Sequence, residues 1–239
     1  RRALDALKEA DARKDEFLAM LAHELRNPLA PITNAVKLLE RETRLSREGE
    51  RAVEMIGRQA SQMRRLVEDL LEVNRITRGT VRLKPEPLML GSLVHAVVEA
   101  AQPAADVKRQ RLRALLPATV VHIVADPVRV AQVLENLVGN AIKYTPEGGR
   151  VDVVLDEQAD AIELRVVDDG IGIAPDKLEG VFDLFVQAEP GVGPHQGGLG
   201  IGLAMVKRLV ELHGGTVRAE SAGRGQGASF VVRLPRAAS

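Results

Sequence analysis

The first 78 residues constrain the fold most strongly, because they contain only two glycines and two prolines. Alanine, leucine, glutamate, arginine and lysine, which favour helix, dominate this part of the chain. Apolar residues recur there at alternating steps of three and four, which predicts two long amphipathic helices. The first run is Leu4, Leu7, Leu18, Leu21, Leu25, Ile32 and Leu39, interrupted by Asp11, Lys14 and Pro28, and the second is Val53, Ile56, Ala60, Met63, Val67 and Leu70.

A polar segment at residues 41–49 separates the two runs, and Ser46 within it is a candidate N-cap for the second helix. The pattern therefore predicts an all-α helical hairpin. A lone hairpin would leave its apolar seam in water, whereas two hairpins can form a four-helix bundle. We therefore expect a homodimer built on this hairpin.

The pattern changes after residue 78, where strand-like and helical segments begin to alternate. This alternation predicts a mixed α/β layer with helices on one face of a sheet. We expect a helical domain (1–78), a linker (79–87) and an α/β domain (88–239). Strands are expected at 81–83, 120–125, 151–155, 161–167, 216–220 and 229–234, and helices at 92–105, 127–143 and 199–212.

Composition excludes several classes of function. The 33 basic and 33 acidic residues cancel, which gives no general attraction to nucleic acid. The absence of cysteine excludes disulfides, thiol nucleophiles and cysteine metal sites. No stretch approaches the roughly 18 apolar residues of a membrane span. The lack of cysteine fits a reducing compartment, and we expect a cytoplasmic location. The chain starts within a helical pattern without an initiator Met, so we interpret it as a fragment, and membrane anchoring of the full protein stays open.

The first apolar run follows a seven-residue repeat, and His23 occupies the outward position of that repeat, furthest from the apolar seam. Asn27 lies one helical turn later on the same surface, Glu24 is adjacent, and Pro28 should bend the helix just beyond. Most isolated surface histidines have no function. A neutral imidazole is, however, a good nucleophile, and a neighbouring carboxylate can hold its proton.

Asn136, Asn140 and Lys143 line one face of the helix expected at 127–143. Amide oxygens suit Mg²⁺ that also bridges phosphates, and the lysine adds a positive charge. The alternative is the polar face of a solvated helix.

Two glycine-rich segments follow. Asp168 ends an alternating strand, and Gly170 and Gly172 come directly after it, which would allow close approach of a ligand, although such turns are common. The run from residue 197 to residue 204 leads into a helix and favours anion binding. Its spacing fits neither the dinucleotide fingerprint nor the P-loop.

The sequence from Phe17 to Leu29 closely resembles the phospho-acceptor box of sensor histidine kinases. That resemblance implies that His23 accepts a phosphoryl group and that Glu24 is its base. It also implies that Asn27 positions water for hydrolysis of a partner's phospho-aspartate.

The motifs of the second domain resemble the boxes of the α/β sandwich ATP-binding fold shared by histidine kinases, gyrase, Hsp90 and MutL. The resemblance implies Mg²⁺ at Asn136 and Asn140, adenine at Asp168, and a flexible lid at 187–199. Within that lid, one interpretation of His195 is contact with the γ-phosphate; we expect instead an exposed loop residue. The other ATP-binding residues implied are Lys143 for the phosphates, Tyr144 for the adenine or ribose edge, Gly170 and Gly172 for approach of the adenine, and Gly198, Leu199, Gly200 and Gly202 around the phosphates.

The two resemblances together predict the core of a sensor histidine kinase. It would phosphorylate His23 from Mg-ATP and pass the group to an aspartate of a response-regulator receiver domain, with a sensor domain upstream of this fragment. One alternative is a non-catalytic, nucleotide-binding dimeric scaffold. Another is a gyrase-like ATPase, which is disfavoured because gyrase-type enzymes carry a glutamate where this chain has Asn136.

Overall fold

The computed structural model describes residues 28–29, 31–37, 39, 46–77, 82–158, 160–184, 186 and 200–236. Within this part of the chain, contacts separate a first unit that runs up to Arg75 from a second unit that begins at Ile76. Each unit has its own secondary structure.

The first unit is helical in its described residues. Residues 31–37 form one helical stretch, and helix α1 spans Arg47–Thr77. Ser46 is the N-cap that the sequence predicts, since its Oγ accepts a hydrogen bond from Gly49 N at 3.2 Å. Val53 and Val67 on the predicted apolar seam are 50% and 46% exposed. The seam of α1 is thus left partly uncovered within one chain.

The second unit contains a five-stranded sheet with helices packed on it. Its strands are β2 Arg111–Leu115, β4 Arg150–Glu157, β5 Ala161–Asp168, β6 Thr216–Glu220 and β7 Ala228–Pro235, and its helices are α2 Leu90–Val107, α3 Pro127–Tyr144 and α4 Gly202–Leu212. The strand order is β2-β4-β5-β7-β6, with β2 and β4 parallel and the other neighbours antiparallel. Among the described residues, α2, α3 and α4 pack on this sheet, which gives the predicted α/β sandwich.

A separate two-stranded sheet pairs β1 (Glu86–Met89) with β3 (His122–Ala125). The strand predicted at 81–83 is wrong, because Arg82 and Leu83 are irregular and the strand lies further along the chain. The register is set by tertiary pairing, in which half-buried Leu88 lies opposite buried Ile123.

The core lies between the large sheet and its helices. Alternate residues of β4 and β5, such as Val153 and Leu164, are at most 1% exposed, as are Leu137 of α3 and Leu209 of α4. Aliphatic side chains dominate this core because the chain contains only 2% aromatic residues. The Phe182 and Phe230 rings meet edge to face with centroids 6.2 Å apart, as a core anchor.

Candidate functional site

The predicted acceptor residues His23, Glu24 and Asn27 lie outside the described residues. Their roles therefore stay predictions. Pro28 and Leu29, which follow directly, are helical, and Pro28 is buried.

Helix α3 carries the predicted metal and phosphate residues of the second unit. Asn136 is half-buried, and its Nδ2 donates to Gln132 O at 2.8 Å. A Cβ atom added to Gly202 would lie only 2.6 Å from Asn136 Oδ1. The structure therefore brings the start of α4 directly against the amide oxygen of Asn136. Asn140 lies one turn further along α3 and is also half-buried.

The N-terminus of α3 is fixed by Asp126. Its Oδ1 accepts hydrogen bonds from Val128 N and Arg129 N at 3.1 and 3.2 Å, and its Oδ2 accepts one from Lys84 N at 2.9 Å. Burial acts to raise the pKa of Asp126, but these three amide bonds and the charge of Arg129 outweigh it, and the pKa is lowered. Asp126 is therefore an ionised cap that anchors both α3 and the end of the predicted linker.

The C-terminus of α3 is fixed by Lys108 and Gln110. Lys108 Nζ donates to the carbonyl oxygens of Ile142 and Lys143 at 2.9 and 2.8 Å. Gln110 Nε2 donates to those of Ile142 and Thr145 at 3.0 and 2.7 Å. Burial, and secondarily the charge of Lys143, lower the pKa of Lys108. The last turn of α3 is thereby held rigidly in place.

Lys143 and Tyr144 occupy that last turn. The ammonium nitrogen of Lys143 lies 4.8 Å from the centroid of the Tyr144 ring, within the range of a cation–π interaction. Both side chains are half-buried. A positive charge and an aromatic face thus stand side by side at one end of α3.

Asp168 ends β5 and is only 8% exposed. Its Oδ1 accepts a hydrogen bond from Gly170 N at 2.9 Å. Burial raises the pKa of Asp168; the hydrogen bonds from the Gly170 and Ala228 amides act against this, and the charge of Asp169 adds to it. A buried carboxylate retains spare acceptor capacity, because its two oxygens offer about four lone-pair sites. Asp168 can therefore accept a hydrogen bond from an amine.

The glycines after Asp168 are required by the chain's own backbone. A Cβ atom on Gly170 would lie 2.6 Å from Tyr144 O. Gly172 has φ +69°, and a Cβ there would lie 2.1 Å from Gly223 O. The loop Asp168–Gly172 is thus packed against both α3 and the turn between β6 and β7. A role of these two glycines in approach of adenine stays a prediction.

The glycine-rich run before α4 is only partly within the described residues, since Gly198, Leu199, His195 and the lid at 187–199 fall outside them. Gly200 has φ +66°, which a helix cannot accommodate. Helix α4 consequently begins at Gly202, and the start predicted at residue 199 is wrong.

Sequence reasoning missed several residues that hold the site together. Asp126 followed by Pro127 is a local N-cap signal that could have been found. Lys108 and Gln110 bond to Ile142, which is 34 and 32 positions away, and Ser221 accepts a hydrogen bond from Ile173 N, 48 positions away. No local sequence pattern marks these three residues. The segment 223–230 joins β6 to β7, and it also contacts the loop after Asp168.

Among the residues that the structure describes, no group of three histidine, aspartate or glutamate side chains could hold a metal ion. No helix there is both long and apolar enough to cross a membrane.

Comparison with protein families accounts for both units. Residues 13–79 match the "His Kinase A (phospho-acceptor) domain" family, and residues 125–238 match the "Histidine kinase-, DNA gyrase B-, and HSP90-like ATPase" family. The fold and the site thus define an ATP-binding domain that follows a phospho-acceptor domain.

Individual relatives are similar to this chain over both domains together. The chain is 36% identical to the sensor protein DivL of Caulobacter vibrioides over 230 residues, which cover 96% of this chain and 29% of DivL. The crystal structure of full-length ShkA in complex with AMPPNP is similar with a TM-score of 0.71 and 30% identity, over 94% of this chain and 47% of that one. The chain belongs to the sensor histidine kinases, as its sequence predicted.

The similarity in fold extends to histidine kinase ThkA, solved in complex with the response regulator TrrA, at a TM-score of 0.70 and 22% identity, over 96% of this chain and 64% of that one. The chain spans less than two thirds of the length of each of these three proteins.

Proposed function

We propose that this chain transfers the γ-phosphoryl group of ATP to His23. A ring nitrogen of His23 would attack the γ-phosphorus, and the bond to the β–γ bridging oxygen would break, releasing ADP. Glu24 would take the ring proton. The observation that carries the proposal is that α3 joins the two parts of the site: Asn136 Oδ1 lies against the start of α4, and Tyr144 O contacts the loop after Asp168.

The described residues would divide the nucleotide between them. Asp168 would accept a hydrogen bond from the adenine amine, and Tyr144 would contact the adenine or ribose edge. Lys143 would attract the phosphates, and the loop around Gly200 and the start of α4 would supply backbone N–H groups. The remaining glycines of that run and the lid at 187–199 would close over the triphosphate.

Asn136 and Asn140 fit a magnesium site of modest affinity. Asn136 Nδ2 is engaged by Gln132 O, so its oxygen is directed toward the start of α4, where phosphates would lie. Mg²⁺ would neutralise phosphate charge there when it arrives with the nucleotide. Because both ligands are neutral amides, the metal would depend on the phosphates for most of its binding energy.

The proposed partners follow from the helical domain. We infer a homodimer through the seam of α1, supported by the exposure of Val53 and Val67 in the single chain. Phosphohistidine at 23 would donate to an aspartate of a response-regulator receiver domain, and Asn27 would assist hydrolysis of that phospho-aspartate. The complex of ThkA with TrrA supports a partner of this class.

The organisation proposed for the chain has a helical domain at 1–78, a linker at 79–87 and a catalytic domain at 88–239. The hydrogen bond from Lys84 N to Asp126 Oδ2 supports a linker whose end is fixed to the second unit. Dependence on ATP favours a cytoplasmic location, with a sensor domain in the longer protein.

Labelling with γ-³²P-ATP and Mg²⁺ tests the proposal. We expect acid-labile label on the protein that His23→Gln abolishes. His122→Gln, at an exposed histidine of β3, is the matched control and should keep the label. Free phosphate without labelled protein would instead indicate a gyrase-like ATPase. Neither product, with ATP still bound, would indicate a non-catalytic scaffold.

A further inference from the structure

The side chain of Ser221 links two backbone segments beside the Asp168 loop. Ser221 directly follows β6 and is half-buried. Its Oγ accepts hydrogen bonds from Ile173 N at 3.0 Å and from Gly223 N at 3.3 Å, and donates to Gly227 O at 2.7 Å. The first bond reaches the loop that follows Gly172, and the other two close the turn between β6 and β7. One hydroxyl group thus fixes the turn and the loop relative to each other.

The turn also contacts the loop directly through backbone groups. Gly225 N donates to Ile171 O at 2.6 Å, and Gly227 N donates to Gly170 O at 3.1 Å. Gly227 has φ +69°, and a Cβ atom there would lie 2.1 Å from Asp168 O. The two backbone segments are closely packed against each other, so the position of the turn determines the position of the loop.

The loop in turn positions the carboxylate of Asp168. Asp168 Oδ1 is held by Gly170 N at 2.9 Å, and Ile171 N donates to Tyr144 O at 3.2 Å. A shift of the turn would therefore move both the Asp168 carboxylate and the contact of the loop with the end of α3. Hydrogen bonds to a ligand weaken steeply with such misplacement.

We propose that Ser221 is a positioning residue of the nucleotide site, which sets the place of the Asp168 carboxylate against the adenine ring without touching the nucleotide. The inference rests on the proposed function, in which Asp168 binds adenine. It assigns Ser221 to recognition of the base alone, because Lys108 and Gln110 hold the end of α3 independently of the loop. The other residues proposed for the triphosphate lie further back along α3 and at the start of α4. Loss of the hydroxyl should therefore weaken binding of the base and spare the phosphate contacts.

Isothermal titration calorimetry on the whole chain separates these two parts of the site, with ATP, adenosine and inorganic tripolyphosphate as probes. We expect Ser221→Ala to raise the dissociation constants of ATP and of adenosine by the same factor of about five, and to leave the dissociation constant of tripolyphosphate unchanged. Ser229→Ala is the matched control, since Ser229 Oγ is buried without a hydrogen-bond partner in the described part of the chain. Ser221→Thr keeps the hydroxyl and should restore most of the affinity.

Kinetics give a second readout that general destabilisation would not reproduce. KM for ATP in autophosphorylation should rise with Ser221→Ala, whereas kcat at saturating ATP should not change. If Ser221→Ala does not fold, Ser221→Cys takes its place, because it keeps the volume and donates poorly. Equal affinities of the Ser221 and Ser229 variants, or an equal loss for tripolyphosphate, would overturn the inference. A wild-type chain that binds no adenosine would contradict the proposed function itself.

Discussion

The backbone N–H of Asp126 donates a hydrogen bond to His213 Nε2 at 3.1 Å. His213 directly follows α4, and its Nδ1 lies 2.7 Å from Leu209 O. Because Nε2 accepts, the hydrogen is assigned to Nδ1, which then donates to the carbonyl of α4. The N-terminus of α3 and the C-terminus of α4, the two helices that flank the proposed phosphate site, are therefore joined by one imidazole ring.

Replacing that ring should loosen the junction of the two helices. We expect His213→Ala to lower the free energy of unfolding by about 1–3 kcal/mol, because it leaves the Asp126 N–H and the Leu209 carbonyl without this partner. Urea unfolding followed by circular dichroism measures the change. His95→Ala, at an exposed histidine of α2, is the matched control and should stay within about 0.5 kcal/mol of wild type. Equal values for the two variants would mean that the junction does not depend on the ring.

The cap at Asp126 should make stability depend on pH in acid. Its pKa is lowered in the folded chain, so the ionised carboxylate contributes stability above the ordinary aspartate pKa of roughly 3.9, and this contribution is lost as pH falls through the folded value. Asp126→Ala should cost about 0.5–2 kcal/mol at neutral pH and reduce the loss of stability in acid.

Unfolding free energies measured from neutral pH down through the ordinary aspartate pKa of roughly 3.9 check this prediction, because the contribution of a carboxylate with a lowered pKa is lost below that value. Asp176→Ala, at an exposed aspartate, is the control. An Asp126 variant that retains the full acid dependence of wild type would show that other carboxylates cause it.

Gly172 should tolerate no side chain. Its φ of +69° costs an L-residue roughly 1–2 kcal/mol, and a Cβ would collide with the backbone at Gly223 O. We expect Gly172→Ala to lower the melting temperature by several degrees or to prevent folding. Gly139→Ala is the matched control: Gly139 lies inside α3 with nothing within 4 Å of its added Cβ, so the change should stabilise the chain by about 0.5–1 kcal/mol.

The sequence predicted those parts of the fold whose causes are local. Helix α3 matches its predicted span to within one residue, because its apolar residues recur at helical spacing from Val130 to Ile142. Strand β2 was missed, since its five residues owe their extended state to parallel pairing with β4. The strand predicted at 81–83 was displaced to Glu86–Met89 for the corresponding reason, pairing with β3.

The residues of the candidate site likewise divide into those marked by local sequence and those that depend on tertiary structure. Asn136, Lys143 and Asp168 were found because each lies in a short motif whose residue types suit nucleotide chemistry. Ser221 was not predicted, since it accepts a hydrogen bond from Ile173, which is 48 positions away in the sequence. Lys108 was not predicted either, because its hydrogen bonds to the end of α3 exist only in the folded chain. Residues that touch a ligand leave local patterns, whereas residues that position them depend on tertiary structure.

Asp168 should oppose folding at neutral pH while it serves binding. Its pKa is raised by burial, so the folded chain holds this proton more tightly than the unfolded chain does. Between the ordinary aspartate pKa and the raised value, the unfolded chain therefore binds fewer protons, and stability falls as pH rises. Asp168→Asn removes the charge while its side-chain oxygen can still accept from Gly170 N. We expect this variant to be at least as stable as wild type at neutral pH, with a weaker dependence on pH.

The same substitution should abolish recognition of the base. An amide presents an N–H₂ group where the carboxylate offered an acceptor, so adenosine should bind at least about tenfold more weakly. Asp169→Asn is the matched control, because Asp169 is exposed and its Oδ1 accepts from Arg150 N rather than facing the buried end of β5. Thermal melts and calorimetric titration with adenosine on the same samples separate stability from binding. An Asp168→Asn chain that binds adenosine as tightly as wild type would exclude this carboxylate from base recognition.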